Sequence, residues 1–235
     1  MQRLIWTMSI ALLTVGVGAL TVVSPAAAQS YQSPIRDPQH VFQRGVCNWV
    51  ELKRQNVVMQ KRDYSCGAAA LATISQYFWE DQYTEEDFLR TIVEMLSREE
   101  LVDRVENGLA ISDLRRAAVK RGYVASIGTM EFGALTQSKV PLIVAIRTGD
   151  LDHFVVYRGV DGPWVYVADS IRGNVRIPIY KFQQQWIQQM VLAIGKPDEE
   201  IPAYSALSIR QDEAAVGETN RQLIRANHLY RKNPR

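Results

Sequence analysis

A thiol and an imidazole are the side chains from which a cysteine nucleophile is assembled, and this 235-residue chain has only two cysteines and three histidines. Cys66 is the thiol in a patterned stretch. It follows Asp63-Tyr64-Ser65 and precedes Gly67-Ala68-Ala69-Ala70, after which Leu71, Ile74 and Phe78 recur at spacings of three and four. That spacing, with alanines between, predicts a buried helix opening at or beside Cys66. A thiol at a helix start lies among unpaired backbone N–H groups and the positive end of the macrodipole, an environment that favours thiolate. Asp63 or Ser65 is the expected cap.

The thiol needs a base. His40 sits in a polar, proline-containing stretch and His228 in a charged tail, whereas His153 begins the alternating run His153-Phe154-Val155-Val156-Tyr157. The next strand reads Trp164-Val165-Tyr166-Val167-Ala168-Asp169, and Gly159-Val160-Asp161-Gly162-Pro163 between them has the composition of a turn. A hairpin centred on Asp161 sets Asp169 directly opposite His153, with Cβ atoms about 5 Å apart, close enough for a carboxylate to orient the ring. A slip of one residue would undo this. Asp150 and Asp152 compete for the same role, although Asp152, adjacent in the strand, should point to the other face. Blander readings stand beside these: His153 as a core histidine on a backbone carbonyl, and Asp169 as a turn residue ahead of Ser170 and Gly173.

Gln60-x5-Cys66-Gly67-Ala68-Ala69, then His153-Phe154-Val155-Val156 opening a strand, then Asp169 closing the next, resembles the bacteriocin-processing, double-glycine leader peptidases of the papain-like cysteine peptidase clan. The resemblance spans residues 57–195. It includes Gly108 to Leu114 before a helix ending in Arg121-Gly122-Tyr123, the strand Val140-Pro141-Leu142-Ile143-Val144, and Phe182 with Trp186. It implies an α+β, papain-like cysteine peptidase fold in which N-terminal helices pack on an antiparallel sheet. It also implies that Cys66 attacks, His153 is the base, Asp169 orients it and the Gln60 side chain stabilises the oxyanion. The chain departs from the family at one point: Asp169-Ser170 stands where the family usually has Asp-Pro.

Several elements must position these residues. Thr84-Glu85-Glu86-Asp87 is a helix start with an acidic first turn, and Phe88, Ile92, Met95 and Leu96 form its apolar face. A short helix is expected over 99–105, and another begins at a Ser112 cap and ends at Gly122. Strands are expected over 142–146, 153–159, 164–169 and 175–177. The lead-in, 29–56, predicts little regular structure, because its apolar pair Trp49-Val50 is interrupted at Glu51. Cys47 within it offers an alternative fate for Cys66, a disulfide, in an oxidising compartment.

That compartment is suggested by the first 28 residues. Arg3, an apolar run from Ile10 to Val23, and Ala26 and Ala28 in Ala-x-Ala spacing make a secretory signal peptide cleaved after Ala28. The expected product is a periplasmic protein with no stable membrane insertion. The organisation is thus a signal peptide (1–28), a lead-in (29–56), a peptidase domain (57–195) and a charged C-terminal extension (196–235), helical in its later part around Leu223, Ile224 and Leu229. A formal charge of +2 gives no reason to expect a nucleic-acid partner. No Cys-x-x-Cys or His-x-x-x-His pair offers a zinc site, and the chemistry asks for no metal or cofactor. The chain also has no Gly-x4-Gly-Lys-Ser/Thr motif of the exporter-fused members, so a stand-alone enzyme is the expectation. Exported stand-alone relatives of this type accompany the Fap functional-amyloid secretion system. The resemblance therefore implies a polypeptide substrate, with a secreted or surface-fibre precursor as the specific expectation and secretion components as partners. The alternative is a catalytically silent periplasmic binding or chaperone module, and transfer of the acyl group to an amine is a third outcome.

Overall fold

The computed structural model describes residues 32–36, 41–45, 49–210 and 213. The expected signal peptide, His40, Cys47 and the later part of the C-terminal segment with His228 lie outside the described residues. The chain divides into two units, Met1–Cys47 and Asn48–Arg235. In the first, β1 (Gln32–Arg36) pairs antiparallel with β2 (Val41–Gly45).

The second unit begins with α1 (Trp49–Arg54), where the sequence suggested little regular structure. Three helices build one side of the core: α2 (Cys66–Tyr77), α3 (Glu85–Val93) and α5 (Ile111–Lys120), with α4 (Arg98–Asn107) between the last two. The α3 start is the expected one. Thr84 Oγ1 accepts from the Asp87 N–H, and the Asp87 carboxylate accepts from the Thr84 N–H, a reciprocal cap that uses two otherwise unpaired donors. The α5 start differs from expectation. Ala110 occupies the cap position, Asp113 accepts the Ala110 N–H at 3.2 Å, and Ser112 already lies inside the helix.

Six strands form an antiparallel sheet in the order β3-β8-β4-β5-β6-β7. They are β3 (Val124–Thr129), β4 (Leu142–Thr148), β5 (Leu151–Asp161), β6 (Trp164–Asp169), β7 (Gly173–Pro178) and β8 (Trp186–Gly195). The four expected strands are present; β3 and β8, which pair with each other, are additional. β3 is an edge strand with little burial, so its residues show no apolar alternation. The sequence of β8 is broken by Gln188 and Gln189, both in the left-handed region at φ 50° and 52°, before Val191–Ile194 enter the core.

Alternation along the strands fills both faces. Ile143, Val156, Ala168, Leu192 and Ile194 join the helices around Leu71, Ile74, Phe88 and Leu114. Val144, Ile146, Val155, Tyr157, Val165 and Val167 pack on the other face with Leu135 of α6 (Phe132–Thr136) and Phe182 of α7 (Ile179–Gln185). Among the described residues no helix is long and apolar enough to cross a membrane.

The β5–β6 hairpin departs from the expected register. Asp161 pairs with Trp164 across Gly162-Pro163, so the turn lies further along than a hairpin centred on Asp161. Continued without interruption, that pairing would place Asp169 opposite Val156, on the face away from His153. A β-bulge intervenes: Tyr157 pairs with Val167 and Gly159 with Tyr166, leaving Arg158 as the extra residue. Gly159 has φ 149°, a conformation L side chains rarely adopt. The bulge restores parity, so continuing the register puts Asp169 opposite Val155 and diagonal to His153 on the same face. The expected direct opposition is replaced by a diagonal pair, with Cβ atoms within about 7–8 Å and bridged by the longer imidazole.

The extra residue has a second effect. Arg158, its side chain 3% exposed, donates to the carbonyls of Leu207 and Ser208 at 2.8 and 3.0 Å and forms two hydrogen bonds of 2.9 Å with Glu213. Leu207 enters the helical-side core, and Asn56 Nδ2 donates to the Ala206 carbonyl at 2.9 Å. Ala206, Leu207, Ser208 and Glu213 are thus packed onto the rest of the second unit.

Candidate active site

Cys66 is the first residue of α2 and carries a free, buried thiol. The apolar spacing that starts the helix there also fixes its depth, since residues from Cys66 to Ser75 are all buried. Gly67 admits Leu114 of α5: a Cβ at 67 would stand 2.6 Å from Leu114 Cδ2. Ser65 takes the cap position, but its side chain makes no capping bond. Its Oγ instead donates to the Arg62 carbonyl at 2.7 Å and accepts the Arg62 N–H at 3.2 Å, closing the turn that precedes Cys66. Asp63 is exposed.

His153 and Asp169 meet between strands. His153 Nε2 lies 3.0 Å from Asp169 Oδ1, with the residues 5% and 0% exposed. Burial alone would lower the imidazole pKa; hydrogen bonds to Asp169 and Cys66, with the charges of both, outweigh it and raise the value to about 9. Because Nε2 is committed to Asp169, Nδ1 is the nitrogen left for Cys66. For Asp169, burial pushes the carboxyl upward, but the bonds from His153 and from the Arg172 and Ile171 N–H groups prevail and hold it well below the usual carboxylate range. Oδ1 accepts the Ile171 and Arg172 N–H groups at 2.8 and 3.0 Å, and Oδ2 accepts Arg172 Nε at 2.6 Å. A buried carboxylate with this many donors has one orientation available. The competing carboxylate of Asp152 is engaged elsewhere, with Arg147 Nε and Nη2 at 2.6 and 2.7 Å on the exposed face.

Gln60 comes to the same place from the loop before α2. Its N–H donates to the Ser170 carbonyl at 2.9 Å, its Nε2 to the Arg62 carbonyl at 2.9 Å, and its Oε1 accepts from Ser170 Oγ at 2.7 Å. All four residues singled out in the sequence are therefore brought together: Gln60 is bound to the neighbour of Asp169, Asp169 to His153, and His153 to Cys66. Sequence reasoning missed three supporting residues. Arg172 was detectable as the basic residue of an Asp-x-x-Arg turn. Ser170 stands out in the sequence as a departure from the family's Asp-Pro and as a turn residue, with nothing local to link it to Gln60. Glu85, 4% exposed, accepts the Lys61 N–H at 3.1 Å from the acidic first turn of α3, and no local signal distinguishes it from its neighbours there.

A buried thiol at a helix start, hydrogen-bonded to an imidazole that a buried carboxylate holds in place, can deliver a thiolate to an acyl carbon. The Peptidase C39 family matches residues 54–199, more than half of the chain. Curated relatives named probable functional amyloid protease FapD are 33% identical over 153 residues in Pseudomonas fluorescens and 31% identical over 146 residues in Pseudomonas aeruginosa. Each match covers 62% of this chain and 63% of the relative, just under two thirds of the relatives' length. Among solved structures, the peptidase domain of Streptococcus ComA, a bi-functional ABC transporter involved in a quorum-sensing pathway, is similar with a TM-score of 0.50 at 18% identity, covering 60% of this chain and 98% of that one. That likeness speaks to the fold, and it agrees with helices packed on an antiparallel sheet. With a family match that takes in every strand of the six-stranded sheet and every helix from α2 to α7, the chain belongs to the Peptidase C39 family and has a papain-like fold.

Proposed function

We propose that the protein hydrolyses peptide bonds of an exported polypeptide through Cys66, His153, Asp169 and Gln60. The observation that carries this reading is the 3.0 Å contact between His153 Nε2 and Asp169 Oδ1 on a ring that also hydrogen-bonds Cys66. The Cys66 proton passes to His153 Nδ1, and the sulfur attacks the peptide carbonyl carbon. The oxyanion accepts from the Gln60 amide and from a backbone N–H at the α2 start, whose donors the Ser65 side chain leaves uncapped. As the C–N bond breaks, the imidazolium proton goes to the leaving amine. Water then attacks the thioester, gives its proton to His153, and the C–S bond breaks to restore Cys66. Asp169 keeps the ring in the tautomer that presents Nδ1 to sulfur.

The substrate class rests on the FapD relatives, whose name describes a functional amyloid protease; the reading is that this enzyme trims an amyloid-type surface-fibre precursor. Export rests on the basic start, short apolar run and Ala-x-Ala site of residues 1–28, which would place the mature enzyme in the periplasm with that precursor. A signal peptide to residue 28, a lead-in to 56, a peptidase domain to 195 and a C-terminal extension beyond it make up the proposed organisation.

The test is alkylation of the purified protein with iodoacetamide across pH, with Cys66 modification read by mass spectrometry in wild type and His153→Ala. The expected result is Cys66 labelling near pH 6 that slows markedly in the variant. Labelling that is indifferent to His153 would sink the peptidase mechanism and favour a binding module. Labelling that appears only after a reductant is added would mean that Cys66 is bonded to Cys47 in the isolated protein.

A further inference from the structure

We propose that Ser170 is a positioning residue for the oxyanion-binding amide of Gln60, an assignment that rests on the peptidase reading above. The Gln60 side chain has two anchors, and their chemistry fixes which way the amide faces. The Arg62 carbonyl only accepts, so the amide end 2.9 Å from it must be the NH2 group. The amide oxygen then faces Ser170, whose hydroxyl must donate across the 2.7 Å contact. One NH2 hydrogen is used on Arg62; the plane set by the two anchors leaves the second hydrogen for an oxyanion. Without the hydroxyl the amide keeps a single anchor and rotates about its terminal torsion, which is soft.

The main chain of this loop is held independently. Gln60 N–H is bound to the Ser170 carbonyl, Lys61 N–H to Glu85, and Arg62 to the Ser65 hydroxyl. Removing the Ser170 hydroxyl therefore frees the amide without releasing the loop. Ser170 is 3% exposed and its hydroxyl is placed on the half-buried Gln60, so the serine end of the contact is shielded from competing water. Adjacent residues of one turn thus serve two halves of the site. The Asp169 carboxylate aligns the base, and the Ser170 hydroxyl and carbonyl align the oxyanion donor. Both are set by the same β6–β7 connection.

Two reagents of different geometry test this on the purified full chain, with modification at Cys66 read by mass spectrometry. p-Nitrophenyl acetate acylates the thiolate through a tetrahedral oxyanion and expels p-nitrophenolate. Iodoacetamide alkylates it by displacement of iodide with no oxyanion. Ser170→Ala should slow acetylation about tenfold, less than the loss expected from deleting an oxyanion donor outright, while leaving alkylation within about twofold of wild type. Ser170→Thr, which keeps the hydroxyl, should restore acetylation. In a Gln60→Ala background, Ser170→Ala should add nothing further, because it acts through Gln60. The proposal is overturned if Ser170→Ala acetylates like wild type, if both reactions slow in parallel, or if the two substitutions add independently. Gln60→Ala that acetylates normally also overturns it, while His153-dependent alkylation would still uphold the nucleophile. Alkylation that ignores His153 removes the peptidase reading itself.

Discussion

The two halves of the site are built by different kinds of information. Cys66 is placed by its own neighbourhood: a helix start, the Ser65–Arg62 turn and a glycine that admits Leu114. His153 and Asp169 are placed by the pairing of two strands, and their shared face exists only because one residue, Arg158, is left out of the ladder. The first half tolerates change at a distance. The second is exposed to any change of parity, since a one-residue slip carries a side chain to the opposite face.

Substitutions separate the halves. The largest effect is expected from His153→Ala, which removes the proposed proton acceptor and should lower turnover by about 10⁴-fold or more, with the far-ultraviolet dichroism unchanged. Asp169→Asn comes next, with a loss of about 10²- to 10⁴-fold. Its sign is also visible without substrate. The His153 imidazole, expected to titrate near 9 in wild type, should fall toward the ordinary 6.5 when the carboxylate is neutralised, as followed by NMR. Cys66→Ala should lower the same midpoint by less, because the Asp169 bond is the stronger of the two that raise it. An Asp169→Asn midpoint equal to wild type would move the orienting role elsewhere.

Gly159→Val strikes the bulge itself. Its Cβ would stand 3.0 Å from Ile209 Cδ1 at φ 149°, and the expected cost is about 1–3 kcal/mol in urea unfolding, together with a lowered His153 midpoint as the diagonal pair loosens. If stability falls and the midpoint holds, parity does not depend on this glycine. The smallest effect belongs to Thr84→Ala at the α3 cap, about 1 kcal/mol of stability with Cys66 alkylation unchanged, because the loss is local to a helix start.

Much of this was legible beforehand, unevenly. The α2 start at Cys66 and the α3 start at Thr84 followed from spacing and capping within a single turn. β4, β5 and β6 followed from apolar alternation. β3 and β8 did not, since an exposed edge strand and a strand broken by two left-handed glutamines carry no period of two. The proximity of His153 and Asp169 was anticipated, but by a direct pairing that the hairpin does not adopt. A displaced turn and a bulge together return the pair to one face.

By itself the sequence determined the helix that presents the Cys66 thiol and marked His153, Asp169 and Gln60 as candidates to act with it, because helix starts and apolar faces are encoded within a few residues of one another. Only the tertiary structure decided the diagonal meeting of His153 with Asp169, the hold of Arg172 on that carboxylate, and the bond from Ser170 to Gln60 across 110 positions of chain. The carboxylate depends on register, and the Ser170–Gln60 contact on loop closure; a local stretch of residues carries no record of which distant partner will satisfy its polar groups.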